Sequence, residues 1–318
     1  MCGGTSARDR PHHAVDAHPA LRHGCGTTYV PVRPPIGHQN GRVVTPGHWD
    51  KIGAIFAKEP WLGETAKLHD EESTHAIQVA DARNAATPPS LARNGFELRD
   101  SPTTMTDFYD DDAVCATYYV ETEALVKQAT GAKDAFVFQH MRRDSDALNK
   151  ESEAHRNTRS LPSHGSVQRV HADYTPANGP AKLQELEDMG IVPAGTGASG
   201  RAWSIINVWR NIDSQPIQSL PLAVLDAATV DAETTFTYAL VVDEMDPPLV
   251  GMNNGVSFSE QHGWYHYPRM TRDEALMFYT FDGTHSPPRF VFHCAFDDGH
   301  GAMAPPRKSI ECRCLVLF

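Results

Sequence analysis

The sequence predicts a mainly β protein with flanking helices, folded as a double-stranded β-helix, the cupin-like jelly roll. Three observations carry that expectation. Between residues 202 and 318 short apolar runs follow one another, separated by Pro, Gly and Asp turns with no helical pattern between them, which argues for an antiparallel sandwich or barrel. Val170-His171-Ala172-Asp173-Tyr174 sets a His and an Asp two positions apart in a strand-like stretch, so both side chains project to one face and can reach one cation. His293 lies 120 residues after Asp173 in a second apolar run, Arg289-Phe290-Val291-Phe292-His293-Cys294-Ala295-Phe296. A jelly roll brings an early and a late strand together at one open mouth.

Taken in order, residues 1–50 are rich in Pro, Gly and His and predict an irregular or partly disordered segment. His12, His13, His18 and His23 within it are too irregularly spaced to read as a metal tract. Residues 51–318 are expected to form a single jelly-roll domain with an N-terminal helical and strand elaboration, the 40% hydrophobic content being enough for a sizeable core. Residues 49–56 are a short mixed segment. The polar, Ala-rich stretch 72–86 predicts a helix that ends before Pro88-Pro89, and residues 91–98 a first strand. Apolar positions at helical spacing predict a helix over 107–128, stopped by Gly131.

Residues 135–140 read as an apolar strand entering the core, with His140, Arg142 and Arg143 at its end. His140 is a candidate for hydrogen-bonded structure or pocket lining, not for metal ligation. The polar stretch 144–165 is a loop suited to lining or covering a site, and 181–187 a short helix. Gly195, Gly197 and Gly200 match a dinucleotide fingerprint in spacing only, since no strand leads in and no helix follows. Strands are then expected over 202–210, 220–226, 235–242, 263–267, 275–281, 289–295 and 309–318.

Charge and cysteine content exclude several functions. With 28 basic and 40 acidic residues the formal net charge is −12, which disfavours binding to nucleic acid or to an anionic membrane surface. No apolar run is long enough to span a bilayer, and the first residues lack the apolar segment of a secretory signal. The expectation is a cytoplasmic protein. The six cysteines show no Cys-x-x-Cys pair and read as free thiols in a reducing compartment; Cys294, next to His293, points away from it by strand alternation and reads as packing. No motif specifies a homodimer, and none opposes one.

The chemistry concentrates on a few residues. Two imidazoles and one carboxylate on one face of an iron leave the opposite face open for a co-substrate and dioxygen, so His171, Asp173 and His293 are the expected metal ligands and the catalytic centre. Arg307-Lys308-Ser309 opens the terminal strand and aims a guanidinium and a hydroxyl the same way, which suits the far carboxylate of a dicarboxylic acid bound to the metal at its other end. Arg313 shares that strand parity, as an alternative anchor or as an ion-pair partner of Glu311. Tyr174 beside the ligands, with Asn207 and Trp209 on a shared strand face, are candidate substrate-pocket residues. Arg210 joins them only if the strand ends there, and His140 completes the set.

The order His-x-Asp, distant His, Arg-x-Ser resembles that of the 2-oxoglutarate-dependent iron oxygenases. The flanking text is more specific. Gly95-Phe96-Glu97-Leu98, Asp107-Phe108-Tyr109-Asp110, Gly131-Ala132-Lys133-Asp134, Ile206-Asn207-Val208-Trp209-Arg210, Pro221-Leu222-Ala223-Val224-Leu225-Asp226, Asp273-Glu274-Ala275-Leu276-Met277-Phe278 and Pro306-Arg307-Lys308-Ser309-Ile310-Glu311 resemble the fungal asaB-type, or gibberellin-desaturase-like, hydroxylase/desaturase family over about residues 90–318. The chain departs from that family at Phe292-His293-Cys294, where a Pro-His-Thr is usual, at Lys308, where a Glu is usual, and at Tyr279, where a Lys is usual; none of these removes a ligand.

The resemblance implies Fe(II) held by His171, Asp173 and His293, with 2-oxoglutarate and O2 as co-substrates. Arg307 with Ser309 would hold the far carboxylate. It also implies oxidation of an unactivated C–H bond of a small molecule in secondary metabolism, by hydroxylation, desaturation, or oxidative ring or endoperoxide formation. Two other classes stand beside it: a cupin-type metalloenzyme that uses the same triad without 2-oxoglutarate, and a non-catalytic partner protein of the same fold. A complete triad argues against the second.

Overall fold

The computed structural model describes residues 27–32, 42–43, 75–144, 160–161, 168–242, 249–299 and 304–318. Its strands are β1 (Thr27–Val32), β2 (Arg42–Val43), β3 (His75–Asp81), β4 (Phe96–Asp100), β5 (Asp134–Asp144), β6 (Ser160–Leu161), β7 (Trp203–Asn211), β8 (Leu222–Leu225), β9 (Thr235–Val242), β10 (Leu249–Val256), β11 (Trp264–His266), β12 (Glu274–Asp282), β13 (His293–Ala295) and β14 (Lys308–Leu317).

The long strands form one sheet in the order β4-β12-β7-β14-β5-β6, and a second sheet runs β1-β3-β11-β8-β13. A third, β10-β9-β2, is joined to the second through residues 171 and 172, because His171 bridges His293 while Ala172 bridges Asn254. The result is the jelly roll that the strand spacing predicts.

Alternation divides the first sheet into two faces. Ile310, Cys312, Cys314 and Val316 of β14 lie with Ile206, Val208 and Val137 in one buried cluster, which also holds Val114, Tyr118 and Val126 of a helical segment. That segment begins at Asp110, whose carboxylate accepts from the Ala113 amide at 3.0 Å, and passes through a π turn at Val114–Tyr118 into a helix over Tyr119–Thr130. It stops at Gly131, whose left-handed backbone lets its amide reach Lys127 O at 2.9 Å. On the other face of the sheet Trp209, Leu276 and Phe278 pack against Val224, Val291 and Tyr267 of the opposing layer. Each buried aliphatic or aromatic side chain of this kind contributes about 1.5–3 kcal/mol.

Four expectations change. Residues 75–86 hold a strand, β3, and then a single 3-10 turn at Ala82–Asn84 in place of the expected helix: Ile77 and Val79 are buried while their neighbours are exposed or half-buried, a period of two that the Ala content obscured. Residues 91–98 open with a helical turn, Leu91–Asn94, between the Ser90 cap and Gly95, before β4 begins. Strand β10 went unpredicted because Gly251, Asn253, Asn254 and Gly255 are poor strand formers; pairing with β9 along its whole length defines it. Within 1–50, two segments are strands: β1 is built on Thr-Thr-Tyr-Val and pairs with β3, and β2 pairs with β9. The remainder of 1–50, the mixed segment 49–56, and most of 144–165 fall outside the described residues.

Gly95 has φ +80°, and a Cβ there would stand 2.6 Å from the buried Val291 side chain. Gly131 has φ +72° with open space around it. Gly131→Ala should therefore cost only the left-handed strain, about 1 kcal/mol. Gly95→Ala adds overpacking against a β-branched core residue, for roughly 2–4 kcal/mol in total. Urea midpoints at unchanged m-values check this, and equal losses at the two positions would refute the packing argument.

Candidate metal centre

The residues around His171 and His293 exchange both backbone hydrogen bonds, His171 N to His293 O at 3.2 Å and His293 N to His171 O at 2.9 Å. Directly opposed residues of antiparallel strands put their side chains on the same face, and the two imidazole centroids are 4.4 Å apart. Asp173 follows two positions on, with its Oδ1 3.7 Å from His171 Nε2. One ligand atom from each of His171, Asp173 and His293 falls within 4.8 Å of the others. Both rings are oriented the same way: His171 Nδ1 pairs with Arg169 O at 2.8 Å and His293 Nδ1 with Val291 O at 3.3 Å, each a carbonyl two residues upstream. With the proton on Nδ1 and donated there, each Nε2 keeps its lone pair for a cation.

Asp173 is held on its other oxygen. Oδ2 accepts from Asn207 Nδ2 at 2.7 Å and from Thr280 Oγ1 at 3.3 Å, and the Asp173 amide donates to Thr280 Oγ1 at 3.1 Å. This leaves Oδ1 turned toward the histidines and toward Arg313 Nη2, 3.1 Å away.

The first sheet supplies the floor in rows of directly paired residues: Gln139, Arg313, Asn207 and Phe278, then Met141, Glu311, Trp209 and Leu276, then Arg143 and Ser309. Arg307 precedes the last row, with its guanidinium over the Trp209 ring at 5.4 Å and its Nη1 donating to the carbonyl of Leu220, a residue with φ 45°.

Of the residues expected in the pocket, Asn207 and Trp209 come to this face, and Tyr174 is buried beside the ligands, next to the charge of Arg313. Two do not. His140 and Arg210 belong to the intervening rows, which face the helical layer. His140 bonds Tyr119 Oη at 2.8 Å and Asp111 at 3.1 Å. Arg210 donates to Tyr118 Oη, Ser101 O and Arg272 O, so strand alternation continues through it. Sequence reading missed Gln139 and Thr280 and did not use Arg143, since only the register of β14 against β5 and the bridge of the ligand segment reveal them. Cys294 is fully buried in an apolar cluster.

The charges are arranged for a cation. Burial, then the neighbouring His293, pushes the His171 imidazole down to about 4, and burial likewise lowers His293. Burial by itself would raise the Asp173 carboxyl, but Arg313 and the two histidines hold it well below the usual carboxylate range. Burial raises Glu311, helped by the charge of Asp173. Burial, with the like charge of Arg143, lowers Arg307 to about 9. Two neutral imidazoles and one carboxylate suit a borderline divalent metal such as Fe(II). The co-substrate end passes its own test: Ser309 Oγ and Arg307 Nε are buried without a hydrogen-bond partner among the described residues, donors of the kind a carboxylate satisfies.

A family model described as oxidoreductase/YMDC permease-like domain matches residues 54–317. Among curated proteins the chain is 28% identical to "Hydroxylase/desaturase efuI" of Hormonema carpetanum over 80% of this chain and 88% of that one. It is 29% identical to "Alpha-ketoglutarate-dependent dioxygenase phiK" of a fungal species, over 76% and 84%. It is also 29% identical to "Fe(II)/2-oxoglutarate-dependent dioxygenase nvfI" of Aspergillus novofumigatus, over 86% and 94%. Among solved structures, an iron and alpha-ketoglutarate-dependent endoperoxidase, NvfI, superposes with a TM-score of 0.62 at 25% identity, covering 77% of this chain and 84% of that one.

The depressed His171 value fixes a pH window. The unfolded chain takes up this proton near 6.5 and the folded one only near 4; the stability linked to His171 is thus complete above about pH 6.5 and declines as pH falls toward 4. Metal binding should accordingly draw almost no proton from His171 between pH 6 and 8, and protonation of His171 should oppose it only as pH approaches 4. Calorimetric Co(II) titrations in buffers of different ionisation enthalpy, restricted to the signal that His171→Ala removes, check this; release of a full proton at pH 7 would contradict it.

Proposed function

The chain belongs to the family of the oxidoreductase/YMDC permease-like domain, the asaB-type hydroxylase/desaturase branch of the Fe(II)/2-oxoglutarate-dependent oxygenases, and from that premise we propose how its own residues serve the reaction. It is an Fe(II)/2-oxoglutarate-dependent dioxygenase that oxidises a C–H bond of a small molecule. One observation supports the residue assignment above the rest: a His-Asp-His cluster whose ligand atoms converge lies over the face of the first sheet that carries Arg307 and Ser309, whose Nε and Oγ are buried without hydrogen-bond partners among the described residues.

In this reading His171 Nε2, His293 Nε2 and Asp173 Oδ1 hold the iron, and Arg307 with Ser309 holds the far carboxylate of 2-oxoglutarate. Iron chelated by that keto acid supplies the oxidising power, coupling its decarboxylation to the reduction of dioxygen. The protein's share is placement. The carbonyls of Arg169 and Val291 fix the imidazoles, and Asn207 and Thr280 hold Oδ2 of Asp173, so that Oδ1 is the oxygen turned to the histidines; a site of three protein ligands would leave room for the keto acid and dioxygen. Burial around the centre, with Phe278 4.7 Å from the His293 ring, keeps bulk water from the reacting face. Relatives whose names specify hydroxylation or desaturation and endoperoxidation share the fold, so the chemistry assigned is the class and the substrate is a small molecule of secondary metabolism.

Anaerobic addition of Fe(II) and then 2-oxoglutarate should give the weak visible charge-transfer band of a chelated keto acid. His171→Ala should abolish it, and Arg307→Ala should weaken 2-oxoglutarate by roughly 10- to 100-fold, the worth of a charge-assisted hydrogen bond pair. Iron binding without a band would instead favour a cupin-type enzyme that does not use the keto acid.

A further inference from the structure

Arg313 was expected at the far end of the co-substrate or as a partner of Glu311. The ion pair with Glu311 is present, and the rest of its surroundings point to a further role. It stands in the first floor row, between Gln139 and Asn207, on the row nearest the ligands, while Ser309 lies two rows away. Its Nη1 donates to Gln139 Oε1 at 2.9 Å, its Nη2 approaches Asp173 Oδ1 at 3.1 Å, and its Nε is buried without a hydrogen-bond partner among the described residues; Glu311 Oε1 is 3.7 Å from that nitrogen. Because Asn207 and Thr280 occupy Oδ2, the oxygen Arg313 touches is the same one that faces His171 Nε2. The guanidinium and an incoming cation therefore compete for one atom.

That competition has a consequence. A divalent cation seated among the three ligands takes up the negative charge of Asp173 and stands close to a guanidinium that cannot lose its proton. Like charges at such a distance in a buried site repel strongly. The repulsion would be relieved by an anion lying against both, and the near carboxylate of a metal-chelating 2-oxo acid would be such an anion. The planar fork suits such a carboxylate, and Gln139 holds one arm of it in position.

We propose that Arg313 is the binding residue for the metal-proximal carboxylate of the 2-oxo acid, so that it opposes the metal alone and favours the metal together with the keto acid. The inference rests on the function proposed above and adds a sign: Arg313 couples the two binding events.

The test separates them, with metal affinity measured by anaerobic Fe(II) and Co(II) titration without the keto acid, and keto acid affinity by the charge-transfer band. Arg313→Gln should bind the metal at least as tightly as the unsubstituted protein and 2-oxoglutarate roughly 10- to 100-fold more weakly. The loss should extend to pyruvate, which carries only the near end, whereas Arg307→Ala should leave pyruvate unaffected. Arg313→Lys, which keeps the charge without the fork, should recover part of the loss. Parallel loss of metal and keto acid affinity would mean a merely structural residue and overturn the proposal, as would unchanged keto acid affinity or a loss confined to 2-oxoglutarate. If Arg313→Gln does not fold, Gln139→Leu takes its place: keto acid binding should weaken with metal binding intact, and equal affinity for both would overturn the idea. Absence of any band in the unsubstituted protein would instead count against the function itself.

Discussion

The reciprocal pair of backbone hydrogen bonds between His171 and His293 governs the rest of the centre. It joins two segments 122 positions apart in the chain, and being antiparallel it leaves no freedom about which side chains meet. A slip of one residue would put Cys294 opposite His171 and send His293 into the apolar cluster, because the side-chain period of a strand is two. Asp173 inherits its place from the same pairing, two positions further on the same face. The ligands are thus set by the backbone before any metal arrives, and the two upstream carbonyls fix the remaining rotation of each ring.

The second constraint is the placement of charge in a closed space. Arg143, Arg307 and Arg313 share the floor of the site with only two carboxylates among the described residues, Asp173 and Glu311. Buried charges without matched partners are costly, and the lowered Arg307 together with the raised Glu311 record that cost. A site evolved only for stability would replace such groups with apolar ones. A site that must accept a dianionic co-substrate keeps guanidiniums that the co-substrate's carboxylates can meet.

Much of this was legible in the sequence. Strand spacing gave His171 and Asp173 their common face, the Arg-x-Ser spacing gave Arg307 and Ser309 theirs, and β9 was delimited as it is found. What failed did so for nameable reasons. The alternation of Ile77 and Val79 is too brief to outweigh an Ala-rich surround, and β10 is held by its neighbour instead of by its own propensity. Arg210 would have joined the pocket only had the strand ended there, and of the two roles open to His140 the structure shows the hydrogen-bonded one. Each is one position off the face, and in a sheet one position is the whole thickness of the layer. Gln139, Thr280 and Arg143 are set by register between distant strands, which a single sequence does not carry.

The floor residues also bear on where specificity resides. Asn207 and Trp209 resemble pocket lining by type, an amide and an indole facing a cavity. In the structure Asn207 holds Asp173 and Trp209 lies beneath the Arg307 guanidinium. Each is already committed to the metal or to the groups that would bind the keto acid, so neither is free to read a substrate. A shared core of this kind explains how relatives under 30% identical carry names as different as hydroxylase/desaturase and endoperoxidase. The floor sets the oxidant, which is common to all of them, and the outcome must be decided by the residues at the rim that hold one C–H bond and not another against it.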